Sequence, residues 1–359
     1  MITEMPDQNG RGESRMDKQR LADVAKRMVA PGKGILAADE STGTIGKRFD
    51  GIGVENNEDN RRAWREMLFT TPGLGDSISG VILYDETIRQ KGSDGTPLIN
   101  HLTAVGTMPG IKVDQSTNPL ANSPGELITD GLDGLRGRLG EYRELGAQFA
   151  KWRAVITIGD GIPTPHCIAA NSHALARYAA LCQEAGIVPI VEPEVLMDGT
   201  HSIDTCDEVT EATLSKVFAD LHDAGVYLEG IVLKPNMVIS ATDAPDRAGP
   251  EEVAAKTIAN FKRTVPAAVP GIAFLSGGQS DDEASANLDA INRSRESVPW
   301  ELTFSYGRGL QASPLKVWGS DTSDIGAAQS AFAQRAKIVS AARRGEYSPN
   351  MEQAAKVSV

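Results

Sequence analysis

A short apolar run followed by a helix-length amphipathic segment recurs eight times along this chain of 359 residues. The runs begin roughly 30 to 45 residues apart, which is the length of a parallel β-α-β unit. We interpret as strands residues 34–38, 81–84, 111–113, 154–158, 188–191, 231–233, 272–275 and 302–306. Eight alternations without a Pro/Ser-rich linker favour an α/β fold with a single closed (β/α)8 TIM barrel over two domains, although an open doubly wound sheet also fits the pattern.

The segments between these runs show helix signals. Apolar residues from Leu175 to Cys182 fall at the i, i+3, i+4, i+7 spacing, with Asn171 as the predicted N-cap. Ser280 is followed by three acidic residues, which predicts a capped helix start. Alternating apolar and charged residues predict a further helix over residues 16–30, ahead of the first strand.

The chain is therefore predicted to consist of one catalytic barrel and a short tail. We expect residues 1–345 to form the (β/α)8 barrel, with a loose leader over residues 1–15 and the helix after it. Residues 346–359 are expected to form a C-terminal tail, and the segment 345–359 is predicted to be extended or mobile.

The composition excludes several classes of partner. A net charge of -12 argues against nucleic acid and anionic membranes as partners, and no run of apolar residues is long enough to span a bilayer. The polar N-terminus lacks the apolar core of a signal peptide. The 3 cysteines are too few and too unpatterned for a disulfide framework or a zinc site. We therefore expect a cytoplasmic, reducing location.

Lys234 ends the sixth apolar run, and Pro235 follows it at once. A proline disfavours the α region for the residue before it, so Lys234 is expected to remain extended at the end of the strand. Burial disfavours the charged form of an amine, and a neutral amine is the nucleophile that forms a Schiff base with a ketone. On this stretch alone, a structural lysine paired with a carboxylate fits equally well.

Other polar residues also fall at the C-terminal ends of predicted strands, where (β/α)8 enzymes place their chemistry. Lys151 and Arg153 lie at the start of the fourth strand and could reach inward. Barrels do contain structural ion pairs, but so many polar and charged residues at one end of an acidic protein favour a functional site. The residues at the strand ends are Asp39, Lys112, Glu192, Glu194, Lys234, Ser276, Gly277, Gly278 and Arg308.

The loops after the seventh and eighth predicted strands indicate a phosphate site. Residues 276–278 (Ser-Gly-Gly) end one strand ahead of the capped helix, and residues 307–309 (Gly-Arg-Gly) follow the next strand. Exposed backbone N–H groups and an arginine suit a phosphate, and barrels often bind phosphate after these two strands.

A second anion site could form from Ser41, Thr44 and Lys112, although Ser41 and Thr44 also fit as turn or helix-cap residues. Two anion sites across one mouth suggest a substrate phosphorylated at both ends. The 5 histidines are scattered and no metal site is predicted. A barrel without a metal but with an activated lysine indicates imine chemistry.

Six longer motifs carry a family resemblance, in order between about residues 16 and 345: residues 32–48, 150–153, 188–194, 233–238, 274–280 and 303–313. Together they closely resemble class I fructose-bisphosphate aldolases. The resemblance implies a (β/α)8 barrel, usually a homotetramer, that acts in glycolysis and gluconeogenesis. It implies a lyase that reversibly cleaves fructose 1,6-bisphosphate into dihydroxyacetone phosphate and glyceraldehyde 3-phosphate, with no cofactor and no metal.

The resemblance also implies a role for each matched residue. Lys234 matches the Schiff-base lysine, Glu192 the general acid/base, and Asp39 the carboxylate that acts on the C4 hydroxyl. Lys151 and Glu194 match polar neighbours that maintain the charge balance of the site. The matched substrate-binding residues are Ser276, Gly277, Gly307 and Arg308 for the C1 phosphate, Ser41, Thr44 and Lys112 for the C6 phosphate, and the further basic residue Arg153.

The C-terminus departs from the animal members of this family, which end in a mobile segment with a tyrosine that helps protonate the carbanion. This chain has no tyrosine after Tyr347, so we expect cleavage to persist while proton exchange on dihydroxyacetone phosphate is slow or uses another group.

Two other functions remain open, namely a non-catalytic scaffold on this fold and an imine-forming aldolase for another sugar phosphate. A scaffold predicts a damaged site, yet every matched polar position is intact.

Overall fold

The computed structural model describes residues 16–294 and 297–357. In chain order, the strands are β1 (Gly34–Ala38), β2 (Ile78–Leu83), β3 (Met108–Lys112), β4 (Thr117–Pro119), β5 (Leu127–Thr129), β6 (Phe149–Ile156), β7 (Val188–Val195), β8 (Val232–Leu233), β9 (Gly271–Phe274) and β10 (Glu301–Tyr306). Strands β4 and β5 form a separate antiparallel pair, and the other eight close into a parallel barrel in the order β1-β10-β9-β8-β7-β6-β3-β2. The predicted single (β/α)8 barrel is confirmed, and the open sheet is excluded.

All eight predicted strands belong to the barrel, but the predicted start of the fourth was wrong. Strand β6 begins at Phe149, so Lys151 and Arg153 lie within it rather than at its start. Lys151 is in register with Lys112 of β3, and Arg153 is in register with Glu192 of β7. Charged residues interrupt the apolar pattern of the sequence, yet a barrel accommodates them because alternate residues of a strand face its interior.

Helices follow or connect the strands. They are α1 (Lys18–Met28), α2 (Thr42–Asp50), α3 (Glu58–Phe69), α4 (Leu74–Ser77), α5 (Asp85–Arg89), α6 (Leu98–Ala104), α7 (Leu135–Glu144), α8 (Pro165–Glu184), α9 (Ile203–Asp223), α10 (Pro250–Thr264), α11 (Asp281–Arg293), α12 (Arg308–Ser320), α13 (Ile325–Arg343) and α14 (Pro349–Val357). The predicted start at Ser280 is confirmed, because Ser280 and Glu283 form a capping box at α11.

The predicted N-cap at Asn171 was wrong. Helix α8 begins at Pro165, and the side chain of Thr164 caps it by accepting a hydrogen bond from the Cys167 N–H. Proline suits the first position of a helix, where its missing N–H costs nothing. Asn171 lies inside the helix, buried, and its amide donates to the Leu127 carbonyl of the β4–β5 pair at 2.9 Å.

Helix α1 closes the N-terminal end of the barrel, and the helix predicted over residues 16–30 is confirmed. Its apolar face packs against residues that point into the barrel, including Ile35, Phe149 and Val188. The buried residues of this face are Leu21, Ala22, Val24, Ala25 and Met28. Apolar side chains therefore fill this end of the barrel, whereas a cavity opens at the C-terminal ends of the strands.

The C-terminal segment differs from the prediction. Residues 345–359 were predicted to be extended or mobile, but Pro349–Val357 form helix α14. Glu352 of this helix is buried, and its carboxylate accepts a hydrogen bond from Arg335 Nη1 of α13. This contact depends on how the consecutive helices α13 and α14 pack together, so the local sequence pattern could not indicate it. The predicted leader, residues 1–15, lies outside the described residues, and the division of the chain at residue 345 stays a prediction.

None of the helices in the described part of the chain is long and apolar enough to cross a membrane. The cysteines Cys167, Cys182 and Cys206 are all buried and carry free thiols. Burial raises the pKa of Cys206 to about 11, so this thiol remains protonated at neutral pH and acts as a small packing residue.

Candidate active site

A cavity of about 780 Å³ opens at the C-terminal end of the barrel. Its walls come from the ends of seven barrel strands and the loops that follow them, which is where barrels of this type place their functional groups. All of the predicted site residues line it, namely Asp39, Ser41, Thr44, Lys112, Lys151, Arg153, Glu192, Glu194, Lys234, Ser276, Gly277, Gly278, Gly307 and Arg308.

Lys234 lies in the wall of this cavity at the end of β8. Its backbone N–H donates to the Val191 carbonyl at 2.8 Å, which extends the pairing of β8 with β7 by one residue. Its Nζ lies 3.1 Å from Glu192 Oε1, and the two side chains are only 5% and 4% exposed. The structure therefore fixes a buried amine next to a carboxylate that can exchange a proton with it.

Lys151 lies at the centre of three carboxylates. Its Nζ is 2.7 Å from Asp39 Oδ2, 3.4 Å from Glu192 Oε2 and 3.9 Å from Asp114 Oδ2. Burial alone would lower the pKa of Lys151, but the charges of Asp39, Glu192 and Asp114 outweigh burial and raise it. Lys151 thus remains a cation that connects Glu192 of β7 with Asp39, directly after β1, and Asp114, two residues after β3.

The pKa values of two carboxylates in the site, Asp39 and Glu194, are shifted in opposite directions. Burial would raise the pKa of Asp39, but the charges of Lys151, Lys234 and Lys112 outweigh burial and lower it to about 2. Burial raises the pKa of Glu194, although Arg153 lies 3.1 Å away and acts against the shift. Asp39 is therefore ionised at neutral pH, whereas Glu194 binds a proton more readily than an ordinary glutamate.

The two loops of the first predicted phosphate site, after β9 and β10, lie side by side in the structure. Arg308 Nη2 is 3.5 Å from the Gln279 carbonyl, which links the loop after β10 to the loop after β9. A Cβ added at Gly277 would lie 2.8 Å from Glu194 Oε1, so a larger residue there would displace this carboxylate. Gly278 has a φ of +72°, a left-handed conformation that favours glycine. The backbone of this loop can therefore approach a ligand closely, directly ahead of the α11 N-terminus.

On the opposite side of the cavity, Ser41 caps α2. This is one of the two roles that the sequence predicted for Ser41, namely phosphate binding and helix capping. Its hydroxyl accepts from the Thr44 N–H at 3.4 Å and lies 3.1 Å from Thr44 Oγ1. Capping does not remove these hydroxyls from the site, since both residues line the cavity. Lys112 Nζ lies 2.6 Å from Asp114 Oδ1 and donates to the Asp114 carbonyl at 2.8 Å.

The fold and the site together agree with the comparison to known proteins. Residues 20–359 match the family model of class I fructose-bisphosphate aldolase. The chain belongs to this family.

Individual relatives of the aldolase family match over most of the chain. A probable class 1 fructose-bisphosphate aldolase of Xanthomonas axonopodis pv. citri is 57% identical over 333 residues, which cover 92% of this chain and 99% of the relative. A cytosolic fructose-bisphosphate aldolase of Arabidopsis thaliana is 55% identical and covers 88% of this chain and 81% of the relative. A solved fructose-bisphosphate aldolase of Plasmodium falciparum, in complex with TRAP and an inhibitor, has a TM-score of 0.90 at 48% identity, covering 92% of this chain and 96% of that chain. The family resemblance stated from the sequence motifs is thus confirmed.

Residues of this aldolase family member that the sequence prediction missed also line or support the cavity. Asp114 lies two residues after Lys112, and strand alternation could have placed both on the same side. Glu40 accepts a hydrogen bond from Arg48, and its backbone carbonyl accepts one from Arg65 Nη2 at 2.8 Å. Ser305 lines the cavity, and its buried hydroxyl has no hydrogen-bond partner among the described residues. Arg65 and Glu40 gave no local signal, because their contact joins separate segments.

Class I aldolases act through a Schiff base and without a metal, so membership of this family agrees with the expected absence of a cofactor. Among residues 16–294 and 297–357, no group of three or more histidine, cysteine, aspartate or glutamate side chains is arranged to bind a metal ion.

The lowered pKa of Asp39 predicts a dependence of stability on pH. Its ionised form stabilises the folded chain fully above its ordinary pKa of about 3.9, and this contribution is lost as the pH falls to about 2. We expect this carboxylate alone to account for about 2 kcal/mol of the free energy of unfolding that disappears across this window. Urea unfolding followed by circular dichroism at a series of acidic pH values measures it.

The Asp39→Asn variant should therefore lose less stability than the wild type between about pH 4 and about pH 2. A suitable control is Asp160→Asn, because Asp160 is exposed in the loop after β6. Identical pH dependence in the wild type and both variants would show that Lys151 does not stabilise ionised Asp39.

Proposed function

We propose that this chain reversibly cleaves fructose 1,6-bisphosphate into dihydroxyacetone phosphate and glyceraldehyde 3-phosphate through an imine on Lys234. One observation carries the proposal, namely the 3.1 Å contact between Lys234 Nζ and Glu192 Oε1 inside the cavity of the barrel. Membership of the class I family supports this reaction, and the relatives described above bear the name fructose-bisphosphate aldolase.

In the first half of the proposed mechanism, the neutral amine of Lys234 attacks the C2 carbonyl carbon of the open-chain substrate. Glu192 supplies the proton that lets the carbonyl oxygen leave as water, and a protonated C=N bond to Lys234 remains. Both carboxylate oxygens of Glu192 lie near a lysine nitrogen, since Oε1 is 3.1 Å from Lys234 Nζ and Oε2 is 3.4 Å from Lys151 Nζ. Glu192 is therefore well placed to exchange protons with the amine during both formation and release of the imine.

In the second half, Asp39 accepts the proton of the C4 hydroxyl while the C3–C4 bond breaks. The C4 fragment leaves as an aldehyde, and the bonding electron pair passes to the imine nitrogen, which gives a neutral enamine. Protonation at C3 and addition of water at C2 then release dihydroxyacetone phosphate and free Lys234. Asp39 can accept a proton at neutral pH because Lys151, 2.7 Å away, keeps it ionised.

The two phosphates of the substrate are proposed to bind on opposite sides of the cavity. Arg308 and the backbone around Gly278 suit the C1 phosphate, and the first turn of α2 with Lys112 suits the C6 phosphate. The residues proposed for the C1 side are Ser276, Gly277, Gly278, Gly307 and Arg308, and those for the C6 side are Ser41, Thr44 and Lys112. Arg153 and Glu194, which pair at 3.1 Å, are proposed to balance charge next to Glu192.

The proposal also covers the proton donor at C3, the oligomeric state of the protein and its location in the cell. No tyrosine is among the described residues that line the cavity, so proton exchange on dihydroxyacetone phosphate is proposed to be slow or to use a group other than a tyrosine. As the family resemblance implies, we further propose a homotetramer in the cytoplasm, and an Arabidopsis relative is named cytosolic.

A decisive test is to incubate the protein with dihydroxyacetone phosphate, reduce with borohydride, and locate the added mass by peptide mass spectrometry. Borohydride converts an imine into a stable amine, so we expect the label on the peptide that contains Lys234. Turnover that stops in a chelator, with no label, would overturn the imine mechanism. The absence of both the label and turnover would favour the scaffold. Faster cleavage of fructose 1-phosphate than of the bisphosphate would favour another sugar phosphate as substrate.

A further inference from the structure

Arg335 of α13 connects three helices that meet behind the loops proposed for the C1 phosphate. It is a buried side chain, 4% exposed, and all three of its nitrogen atoms donate hydrogen bonds. Nε donates to the Gly309 carbonyl at 2.9 Å, in the first turn of α12. Nη2 donates to the Asp281 carbonyl at 2.8 Å and to Ser285 Oγ at 2.5 Å, in the first two turns of α11.

The fourth partner of Arg335 is Glu352 of the C-terminal helix α14. Glu352 Oε1 lies 2.5 Å from Arg335 Nη1, and their side chains are 9% and 4% exposed. A buried guanidinium without a carboxylate partner is strongly unfavourable, so this contact both neutralises Arg335 and docks α14. The planar guanidinium offers donors in fixed directions, which suits simultaneous contact with two backbone carbonyls and one carboxylate.

The carbonyls that Arg335 contacts adjoin the proposed phosphate loops. Gly309 directly follows Arg308, and a Cβ added to Gly309 would lie 3.2 Å from Ser276 Oγ. Asp281 is the first residue of α11, directly after the cap residue Ser280. A shift of either first turn would therefore move groups that are proposed to contact the phosphate.

We propose that Arg335 is a positioning residue for the C1-phosphate loops, and that Glu352 of α14 keeps it in place. This inference rests on the proposed function, because it assumes that these loops bind the C1 phosphate. It assigns α14 a specific role: docking of the C-terminal helix determines how well the first turns of α11 and α12 are ordered for the substrate.

The Glu352→Gln variant tests this role, because it keeps the size of the side chain and removes its charge. Fructose 1,6-bisphosphate and fructose 1-phosphate share the C1 phosphate and differ at C6. We therefore expect KM to rise by the same factor for both, roughly 5- to 20-fold, at the lower end of the usual range for coupling between separate sites. We expect kcat to change by no more than about twofold, since Lys234 and Glu192 lie on other elements.

Hydrogen–deuterium exchange without substrate gives a second readout that does not depend on activity. In Glu352→Gln, the backbone amides of residues 276–285 and 307–312 should exchange faster than in the wild type. Glu346→Gln is the matched control, because Glu346 makes the same type of contact with Arg344 but its side chain is 59% exposed. This control should leave both KM values and the exchange of both segments unchanged.

The Arg335→Lys variant separates docking of α14 from positioning of the loops. A lysine can still pair with Glu352, but its single ammonium group cannot reproduce the contacts with Gly309 and Asp281. We expect α14 to exchange as in the wild type while KM for both substrates still rises. If Glu352→Gln does not fold, Arg335→Lys still tests whether Arg335 positions the two loops.

The two proposals fail in different ways. A wild-type protein that cleaves neither substrate refutes the proposed function, and the exchange data then decide whether Arg335 orders the two loops. Unchanged KM values in both variants, or a rise confined to the bisphosphate, would overturn the positioning role. Loop exchange at the wild-type rate in both variants would also overturn it.

Discussion

The Lys234→Ala variant is expected to lose cleavage of fructose 1,6-bisphosphate almost completely, with kcat lower by roughly 10⁵-fold or more. The reason is chemical, because alanine has no amine to form the imine and no other step can provide the electron sink. Lys151 is a poor substitute, since Asp39, Glu192 and Asp114 raise its pKa and keep it protonated. The measurement is the initial rate of cleavage, together with borohydride labelling in the presence of dihydroxyacetone phosphate.

The fold of this variant should remain intact. Removing Lys234 does not leave Glu192 without a cation, because Glu192 Oε2 lies 3.4 Å from Lys151. Lys216→Ala is the matched control, since the side chain of Lys216 on α9 is 42% exposed and pairs with Asp220 one turn later. Substantial cleavage by Lys234→Ala, or borohydride label that moves to another lysine at an undiminished rate, would contradict the assigned nucleophile.

The barrel was predictable from sequence because its strands are buried on both faces and therefore consist of continuous apolar runs. Strand β1 was predicted with its observed ends, and Ser280 was predicted as the cap of α11, since both signals are local. The early start of β6 was missed because Lys151 and Arg153 interrupt the apolar pattern. Strands β4 and β5 have three residues each, which is too short for a recognisable period.

The candidate site was predictable to the extent that its residues occupy the ends of barrel strands. Geometry at the strand ends explains why Lys234, Glu192 and Asp39 meet, since parallel strands in a barrel present their C-terminal ends to one mouth. The sequence could not predict which carboxylates contact Lys151, because that depends on the register between β3, β6 and β7. The contact between Arg335 and Glu352 was unpredictable for the same reason, as it depends on how α13 and α14 pack.

The Asp39→Asn variant is expected to separate the two halves of the reaction. Asparagine fits the same space but cannot accept the proton of the C4 hydroxyl, so the C3–C4 bond should break about 10³-fold more slowly. Imine formation should persist, because Lys234 and Glu192 remain in contact. With fructose 1,6-bisphosphate and borohydride, we therefore expect the Lys234 peptide to gain the mass of the whole hexose bisphosphate rather than that of the triose phosphate.

The same variant provides its own control, since dihydroxyacetone phosphate needs no bond cleavage and should label Lys234 as in the wild type. Asp160→Asn, which makes the same change on an exposed side chain, should give the wild-type adducts with both compounds. If Asp39→Asn yields the triose adduct from the bisphosphate at the wild-type rate, another group accepts the C4 proton. If it labels with neither compound, Asp39 acts before bond cleavage, and the contact with Lys151 at 2.7 Å would then be needed for imine formation itself.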